Sequence, residues 1–272
     1  MAGEGHADGT VGKALDVLDL VASQGGPMRY SDLLPLAGLP KATLYRLLQT
    51  LTHQGMLTLD PDRGTYAPGM RLVRLAHAAW AQSSLAPIAR PWLDGLAART
   101  GETVHLAQMD QGQVLYVDKR NAAKPVEMFA QAGKVGPAYC TGVGKAMLAW
   151  LPPEALEAAL ARQSFHRHTA RTLDDREKLL PELAAIRTLG HAWDREEHEA
   201  GIICCAVPIL SRSGRVLGAL SVTSTTARTT LEALGGWVPV IKEAAAQIAA
   251  EAESWRFPEP TPAPVGKLVD DP

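Results

Sequence analysis

The stretch that most constrains the fold of this chain is residues 39–51, LPKATLYRLLQTL. Its apolar residues recur at the spacing of one helical face. They are Leu44, Leu47, Leu48 and Leu51. Pro40 suits the first turn of a helix, because the backbone N–H that proline lacks has no intrahelical partner there. These residues predict a short amphipathic helix with one buried side.

The opposite side of this helix carries polar side chains, namely Lys41, Thr43, Tyr45, Arg46 and Gln49. A shorter helical segment at residues 31–37 precedes it, and Gly38 provides the tight turn between the two. This order is typical of a helix-turn-helix, whose second helix hydrogen-bonds phosphates and base edges in a DNA major groove. The alternative is an ordinary solvated helix, which has the same polar face.

The residues after this helix favour the first interpretation. Gly55 is a typical helix-ending residue, and strand-like segments at residues 56–60 and 65–67 flank the turn sequence Pro61-Asp62-Arg63-Gly64. The pattern predicts a β-hairpin wing with Arg63 at its tip, where it can reach a phosphate or a minor groove. We therefore predict a winged helix-turn-helix DNA-binding domain over residues 10–70.

The charge balance is weak for a protein that binds nucleic acid. The chain has 27 basic against 29 acidic residues, a formal net charge of −2. Basic character is local, at Lys41, Arg46, Arg63, Arg71 and Arg74 within residues 40–80. One such domain alone would attract DNA only weakly. We therefore expect a homodimer or homotetramer that presents several domains to the operator.

Targeting and cysteine signals indicate a cytoplasmic protein. No stretch approaches the ~20 apolar residues of a membrane span, and the first ten residues, MAGEGHADGT, lack the basic-then-apolar order of a signal peptide. Three cysteines are present, at Cys140, Cys204 and Cys205. An odd number without CxxC spacing argues against a disulfide framework, so reduced thiols are expected.

The rest of the chain divides by composition and periodicity. Residues 1–9 are expected to be a flexible lead, and residues 11–21 a helix. A helix over residues 69–81 is expected to link the two domains, with the linker region itself placed at residues 71–84. Ser83–Ser84 is expected to cap a further helix that runs to Arg99. Residues 230–254 predict one long closing helix. Residues 255–272 are a Pro-rich tail that is expected to be disordered.

The second domain, residues 85–254, mixes strands and helices. Strands are predicted at residues 103–109, 113–119, 126–130, 202–210 and 216–224. Helices are predicted at residues 145–150, 153–162 and 174–189. The segment 202–210 is apolar on both faces, which is typical of a strand in the interior of a sheet. The fold class expected for this domain is α+β, a sheet covered by helices.

Two enzymatic interpretations are weak. Residues 142–145, GVGK, resemble half of a phosphate-binding P-loop, but Tyr139 stands where the first glycine belongs and Ala146 replaces the metal-binding Ser or Thr. A thiol hydrolase that used Cys204 or Cys205 with His198 would place its cysteine inside an apolar strand, where a thiolate is not stabilised. No catalytic residue and no enzymatic activity are predicted.

A metal site is equally weak as an interpretation. The candidate ligands are His166, His168, His191, His198 and the acidic run at residues 194–199. No pair of them has the spacing of a metal-binding motif matched by a second pair. We expect solvated polar surface there, with no metal and no cofactor.

Four segments together resemble the IclR family of bacterial transcriptional regulators. They are VGKALDVLDLVA from residue 11, LPKATLYRLLQTLTHQGML from residue 39, PAYCTGVGKAMLAWLP from residue 137 and DREEHEAGIICCAVPILSRSGRVLGALSVTS from residue 194. The resemblance spans residues 11–254. It implies an N-terminal winged helix-turn-helix, a linker helix and a C-terminal GAF-like, mixed α/β effector domain in a homodimer or homotetramer.

The resemblance also implies a ligand site in the second domain, lined by Gly142, Val143, Asp194, Cys204, Ser221 and Thr223. Thr223 departs from the serine more usual in the family. The loop at residues 141–144 precedes a predicted helix, so its N–H groups can bind a carboxylate. Alternation along a strand places Ser221 and Thr223 on one side, about 6–7 Å apart.

Asp194 is unexpected in a site for an acid, because two neighbouring carboxylates repel each other. We expect it to accept a hydrogen bond from a hydroxyl or hydrated carbonyl of the ligand. The resulting hypothesis is a transcriptional repressor or activator whose operator affinity is controlled by a small organic-acid effector. The competing hypothesis is a ligand-sensing protein whose N-terminal helices only mediate dimerisation.

Overall fold

The computed structural model describes residues 9–83 and 85–254. The expected flexible lead, apart from Gly9, and the expected disordered tail at residues 255–272 lie outside the described residues. The chain divides into two compact units between Ala81 and Gln82. Each unit has its own cluster of buried apolar residues, as an independently folding domain requires.

The first unit combines helices with a small sheet. Its elements are α1 (Thr10–Ser23), β1 (Met28–Arg29), α2 (Tyr30–Ala37), α3 (Lys41–His53), β2 (Leu57–Asp60) and β3 (Thr65–Pro68), followed by α4 (Met70–Ser83). The strands are antiparallel in the order β1, β3, β2. The winged helix-turn-helix is confirmed, and β1 is an additional strand that the sequence pattern did not indicate.

Helix α3 buries the four leucines that predicted it. Leu44, Leu47, Leu48 and Leu51 are each at most 6% exposed. Gly38 ends α2 with a φ of 60°, a conformation that costs glycine little. Pro40 lies just before α3 instead of in its first turn, which corrects the prediction. Its carbonyl oxygen accepts the first helical hydrogen bond, from Leu44 N at 3.0 Å, so it is the N-cap residue.

The wing is held by an acidic residue at the end of β2. The Asp60 carboxylate accepts the backbone N–H groups of Asp62 and Arg63 at 3.0 and 3.1 Å. Gly64 closes the turn with a φ of 63°. This local bonding is the reason why an Asp at the first turn position gives a well-defined tip.

The start of the second unit differs from the prediction. Ser84 lies outside the described residues, and the residue before α5 (Ala86–Thr100) is Leu85, which makes no side-chain cap. The expected serine cap is therefore wrong. A proline within the first two positions of α5 already fixes φ near the helical value and removes one unpaired N–H, so that a polar cap is not required.

The second unit is a six-stranded antiparallel sheet with helices packed on it. The strands are β4 (Thr103–Asp110), β5 (Gln113–Arg120), β6 (Val135–Gly136), β7 (Ala192–Arg195), β8 (Ile202–Leu210) and β9 (Val216–Thr225), in the order β6, β5, β4, β9, β8, β7. The helices after α5 are α6 (Gly142–Leu148), α7 (Pro153–Ala161), α8 (Arg176–Leu189), α9 (Leu231–Gly235) and α10 (Val238–Ser254). The α+β class is confirmed.

Two predicted elements of this unit are wrong. Residues 126–130 form no strand, because side chains satisfy their backbone groups: Phe129 N donates to Glu199 Oε2 at 2.9 Å, and Ala130 O accepts from Lys119 Nζ at 3.1 Å. The closing helix is two helices, α9 and α10, separated at Gly236 and Trp237. The adjacent Gly235 and Gly236, and Pro239 at the second position of α10, disfavour a continuous helix there.

Helix α6 begins three residues earlier than predicted. Thr141 is its N-cap residue, and Gly142 to Gly144 form its first turn instead of a preceding loop. A Cβ atom on Gly144 would lie 2.3 Å from Ala138 O, and one on Gly142 would lie 2.4 Å from Cys204 Sγ. Gly142 therefore allows α6 to pack closely against β8, and Gly144 allows it to pack closely against the loop that precedes it.

Candidate functional site

The outer face of α3 presents the polar residues named from the sequence. Lys41, Tyr45, Arg46 and Gln49 are exposed, whereas Thr43 is half-buried. Gln49 Nε2 donates to Tyr45 Oη at 2.8 Å, as residues four apart on a helix can. The face thus offers hydrogen-bond donors with one positive charge at Arg46 and another at Lys41.

A tyrosine that the sequence analysis did not single out fixes the start of this face. Tyr30, the first residue of α2, donates from its hydroxyl to Lys41 O at 2.9 Å, and its ring lies 6.2 Å from that of Tyr45. It binds the second helix of the motif to the first. A lone aromatic residue before a helix gives no sequence signal for this role, because the contact spans eleven residues.

Arg63 lies at the tip of the wing with its side chain 81% exposed. Its nearest ionic neighbour is Asp60, whose Oδ2 lies 3.9 Å from the guanidinium Nε. An exposed pair at this separation contributes little to stability. The guanidinium is therefore available for a new partner at small cost.

The second unit contains a cavity of about 30 Å³. All six residues that the family resemblance implied line it: Gly142, Val143, Asp194, Cys204, Ser221 and Thr223. They come from α6 and from three adjacent strands, since Asp194 pairs with Cys204 and Cys204 pairs with Thr223. The structure thus brings together residues that lie up to 81 positions apart in the chain.

Other lining residues were missed by the sequence analysis. They are His105, Tyr116, Met128, Ala130, His198, Glu199 and Ile202, whereas Thr141, which also lines the cavity, belongs to the loop named from the sequence. His105 is directly opposite Ser221 on the neighbouring strand. Alternation along β4 indicates which face His105 occupies, but only the pairing of β4 with β9 shows that this face meets Ser221.

Two hydroxyls and an imidazole form a buried polar group at one end of the cavity. Ser221 Oγ and Thr223 Oγ1 lie 3.2 Å apart, and His105 Nδ1 lies 3.4 and 3.3 Å from them. Burial, with the nearby Lys119 ammonium, lowers the pKa of His105 to about 3. The imidazole is therefore neutral at physiological pH.

Asp194 is buried on β7, which β8 separates from β9 in the sheet. Its Oδ1 accepts the backbone N–H of Glu197 at 2.8 Å. Burial nevertheless raises the pKa of Asp194 to about 7. A carboxyl that is partly protonated at neutral pH can donate a hydrogen bond to another carboxylate, which relieves the repulsion expected between the two.

The buried lysine of the GVGK sequence has an internal partner. Lys145 is 0% exposed, with its Nζ 2.5 and 2.7 Å from the two carboxylate oxygens of Glu197 and 3.3 Å from Glu182 Oε1. The ammonium group is thus bound within the protein, in contrast to the lysine of a P-loop, which binds phosphate. This ion pair also holds the segment after β7, where the backbone N–H of Glu197 donates to the Asp194 carboxylate.

The thiols are not activated. Burial raises the pKa of Cys204 well above its usual value, and that of Cys205 to about 12. Both residues stay protonated at neutral pH, and a protonated thiol is a poor nucleophile. The three cysteines, all buried, are free.

Within residues 9–83 and 85–254, no three His, Cys, Asp or Glu side chains are grouped so that they could bind a metal ion. The imidazole ring of His168 instead packs against two other imidazoles. Its centroid lies 4.8 Å from that of His166 and 4.7 Å from that of His198. In the same part of the chain, no helix has the length and apolar character needed to cross a bilayer.

Comparison with known proteins places both units in one family. The IclR helix-turn-helix domain matches residues 10–61, and the C-terminal domain of bacterial IclR transcriptional regulators matches residues 77–250. The transcriptional regulator XynR of Escherichia coli K12 is 36% identical over 219 residues, 80% of this chain and 87% of XynR. KdgR of the same strain is 32% identical, over 80% of this chain and 83% of KdgR.

Solved structures of IclR-family proteins resemble this chain over most of its length. IclR of Thermotoga maritima superposes with a TM-score of 0.72 at 28% identity, over 89% of this chain and 98% of its own. An IclR homologue from Microbacterium hydrocarbonoxydans, in complex with 4-hydroxybenzoate, gives 0.79 at 26% identity, over 91% and 100%. The helix-turn-helix match favours DNA binding over the competing dimerisation hypothesis. This chain belongs to the IclR family of bacterial transcriptional regulators, and it binds DNA through its N-terminal helix-turn-helix domain.

Proposed function

We propose that this regulator contacts operator DNA through Lys41, Thr43, Tyr45, Arg46 and Gln49 of α3 and through Arg63 of the wing. The exposure of the α3 face supports this assignment, because side chains that the fold does not use can pair with base edges and phosphates. Thr43 is half-buried, so less of its side chain is available for such a contact. Arg63 is expected to bind a phosphate, which adds affinity without sequence preference.

We further propose that the cavity of the second unit binds a small organic acid. The observation that carries this proposal is the convergence of six residues, implied by resemblance alone, on a single buried cavity. The first-turn N–H groups of α6 and the Asp194 carboxyl are the groups that would receive the carboxylate. The related protein bound to 4-hydroxybenzoate gives the proposal a first ligand to test.

The cavity must enlarge to accept such a ligand. At about 30 Å³ it has room for at most two or three water molecules, each of which needs at least about 10–15 Å³. The wall at residues 126–130 has no strand partners and is held by two side chains, Glu199, which accepts from Phe129 N, and Lys119, which donates to Ala130 O. Displacement of this segment is the least costly way to widen the cavity, because no strand pairing has to break.

We propose that binding has no chemical consequence for the ligand. Both candidate nucleophiles, Cys204 and Cys205, remain protonated at neutral pH because burial raises the pKa of each thiol. The homologous proteins are transcriptional regulators, and a regulator of operator DNA works in the bacterial cytoplasm. The weak charge of a single DNA-binding domain favours a homodimer or homotetramer as the active form.

The decisive experiment measures whether the two sites are coupled. A thermal-shift screen of small carboxylates, starting with 4-hydroxybenzoate, would identify a ligand of the full chain. Its affinity is then measured by calorimetry with and without saturating promoter DNA. We expect the ligand affinity to change by roughly 5- to 150-fold, because coupling between two sites is reciprocal. Identical titrations would contradict effector control.

A further inference from the structure

Two tyrosines and a glutamine contact one another in series along the outer face of α3. Gln49 Nε2 donates to Tyr45 Oη at 2.8 Å. The rings of Tyr45 and Tyr30 meet edge to face, with centroids 6.2 Å apart and planes at 80°. Tyr30 Oη in turn donates to Lys41 O at 2.9 Å. Tyr30 belongs to α2, so the side chain of Gln49 is braced, through Tyr45, by the preceding helix.

These contacts determine which hydrogen-bonding groups Gln49 presents. A glutamine amide has two N–H donors and one carbonyl oxygen. One N–H bonds to Tyr45 Oη, so the exposed side chain keeps one donor and one acceptor for a new partner. Because the amide is already ordered in the free protein, less conformational entropy is lost when that partner binds.

One donor beside one acceptor matches the major-groove edge of adenine. That edge presents the N7 acceptor and the N6 amino donor, and a glutamine amide pairs with both at once. Guanine presents two acceptors, N7 and O6, so the carbonyl oxygen of Gln49 would face a lone pair there. A phosphate group has acceptors only and leaves the same oxygen unmatched. The free groups of Gln49 therefore favour adenine over guanine and over phosphate.

The position of Gln49 on α3 suits a contact to bases. Lys41, Tyr45 and Gln49 follow one another at intervals of four residues, so they lie on the same face of the helix. All three are exposed, whereas Leu44 and Leu48 are fully buried on the opposite face. The amide therefore lies on the side of α3 that is open to a DNA groove, in line with a cation that can bind phosphate.

We propose that Gln49 recognises an adenine in the major groove of the operator, and that Tyr45 and Tyr30 are positioning residues that orient its amide. This inference rests on the proposed function, in which the polar face of α3 contacts operator DNA. Its new content is the base that Gln49 recognises and the role of Tyr30, a residue outside the proposed DNA contacts.

The test begins with a library of duplexes of random sequence, so that no operator has to be assumed. The full chain selects its preferred duplex, and fluorescence anisotropy measures its affinity for that duplex and for versions in which each base pair is replaced in turn. We expect one A·T pair whose replacement weakens wild-type binding by about 5- to 150-fold, as for the loss of a bidentate base contact. Gln49→Ala should lower this preference to about onefold at that pair and leave the preferences at other pairs unchanged.

A second variant should change the preferred base. Gln49→Glu replaces the remaining donor by an acceptor, and a carboxylate accepts from cytosine N4. It should therefore prefer a C·G pair at the position where the wild type prefers A·T. Thr50→Ala is the matched control, because Thr50 is the adjacent residue and its hydroxyl is bonded to Arg46 O within the helix. This control should keep the wild-type preference at every position.

The positioning residues are tested by the same ratio of affinities. Tyr45→Phe removes the acceptor for Gln49 Nε2, and Tyr30→Ala removes the ring that packs against Tyr45. Each should reduce the adenine preference by about 2- to 10-fold, as for one hydrogen bond or one aromatic pair. Tyr30→Phe keeps the ring and should retain most of the preference. A purely structural role would instead lower the affinity for all duplexes alike and leave the ratio unchanged.

Each outcome supports or overturns the assignment. If no A·T preference depends on Gln49, or if Gln49→Ala weakens binding to all duplexes equally, recognition of adenine is contradicted while DNA binding by α3 still stands. If the wild type selects no sequence, the proposed operator contact fails as well. An unchanged adenine preference in Tyr45→Phe and Tyr30→Ala would overturn the positioning role. If circular dichroism shows that Tyr30→Ala does not fold, Tyr45→Phe decides, because Tyr45 is 51% exposed.

Discussion

The outer face of α3 and the cavity of the second unit use similar polar side chains in opposite surroundings. Arg46 and Gln49 on α3 are exposed, and the fold does not depend on their contacts. Ser221 and His105 in the cavity are each 2% exposed and are hydrogen-bonded to each other. An exposed group can change partner at little cost, whereas a buried one is tied to stability. Variants of the two regions should therefore fail in different ways.

The largest effect on stability is expected for a substitution of the buried Lys145 in α6. Lys145→Met leaves the buried Glu197 carboxylate without its ammonium partner, and breaking a buried pair in this way typically costs about 3–5 kcal/mol. Chemical denaturation followed by circular dichroism would measure the loss. The control is Lys178→Met, whose ion pairs lie at the surface and which should leave the unfolding midpoint almost unchanged. A similar midpoint for both variants would contradict the role assigned to the buried pair.

The next effect concerns the pH dependence of stability at Asp194, whose pKa burial raises from 3.8 to about 7. Between these values the native carboxyl keeps a proton that the unfolded chain has lost, so stability falls as pH rises from about 4 to 7. Asp194→Asn should remove this slope. The free energy of unfolding is measured against pH for the wild type and for Asp194→Asn. The difference between the two is expected to change by roughly 2–4 kcal/mol over that range, since one pKa unit is about 1.4 kcal/mol.

The wild type and Asp194→Asn must be compared at each pH, because other buried groups titrate as well. Burial lowers the pKa of His198 to about 4, which gives a slope of the opposite sign. That contribution cancels when the wild type and Asp194→Asn are compared at each pH. Parallel curves from pH 4 to 8 would show that Asp194 has an ordinary pKa in the folded protein.

A smaller effect, without loss of stability, is expected on α3. Arg46→Ala should weaken binding to promoter DNA by about 1–3 kcal/mol while the unfolding midpoint and ligand binding stay at wild-type values. Fluorescence anisotropy with labelled promoter DNA would measure it. Glu154→Ala, an exposed change in the other unit, is the control. Unaltered DNA affinity in Arg46→Ala would remove this residue from the interface.

The smallest effect is expected at the wing. Arg63→Ala should weaken binding to promoter and unrelated DNA alike, and lower the slope of log affinity against log salt by about 1, because one phosphate contact is lost. The titration is repeated between about 50 and 200 mM salt. A loss confined to one promoter sequence would instead indicate a contact to bases.

The sequence predicted the first unit well because its signals are local. The spacing of Leu44 and Leu48, the turn glycine Gly38 and the turn at residues 61–64 each act within a few residues. The local pattern predicted a strand at residues 126–130 that does not form, because a side chain from Glu199, 70 positions away, replaces strand pairing. It missed β7 for a related reason, since four residues of mixed polarity show a strand only once β8 lies beside them.

In the candidate site, too, residues placed by local pattern were predictable, whereas residues placed by long-range contacts were not. Ser221 and Thr223 could be placed on one face by alternation, and their hydroxyls do lie 3.2 Å apart. His105 could not be assigned to the cavity, because its position opposite Ser221 depends on the register of two strands 116 residues apart. The ion pair of Lys145 likewise joins α6 to a residue 52 positions further on. Contacts of this range are set by tertiary packing, which periodicity does not report.

The most direct test measures operator affinity by fluorescence anisotropy, with and without 4-hydroxybenzoate or another acid found in the screen, for the wild type, Arg46→Ala and Ser221→Ala. We predict that Arg46→Ala loses DNA affinity but still binds the acid, whereas Ser221→Ala keeps its DNA affinity but no longer responds to the acid. If both variants change DNA binding and acid response together, or if the wild type binds promoter DNA no better than unrelated DNA, this account is contradicted.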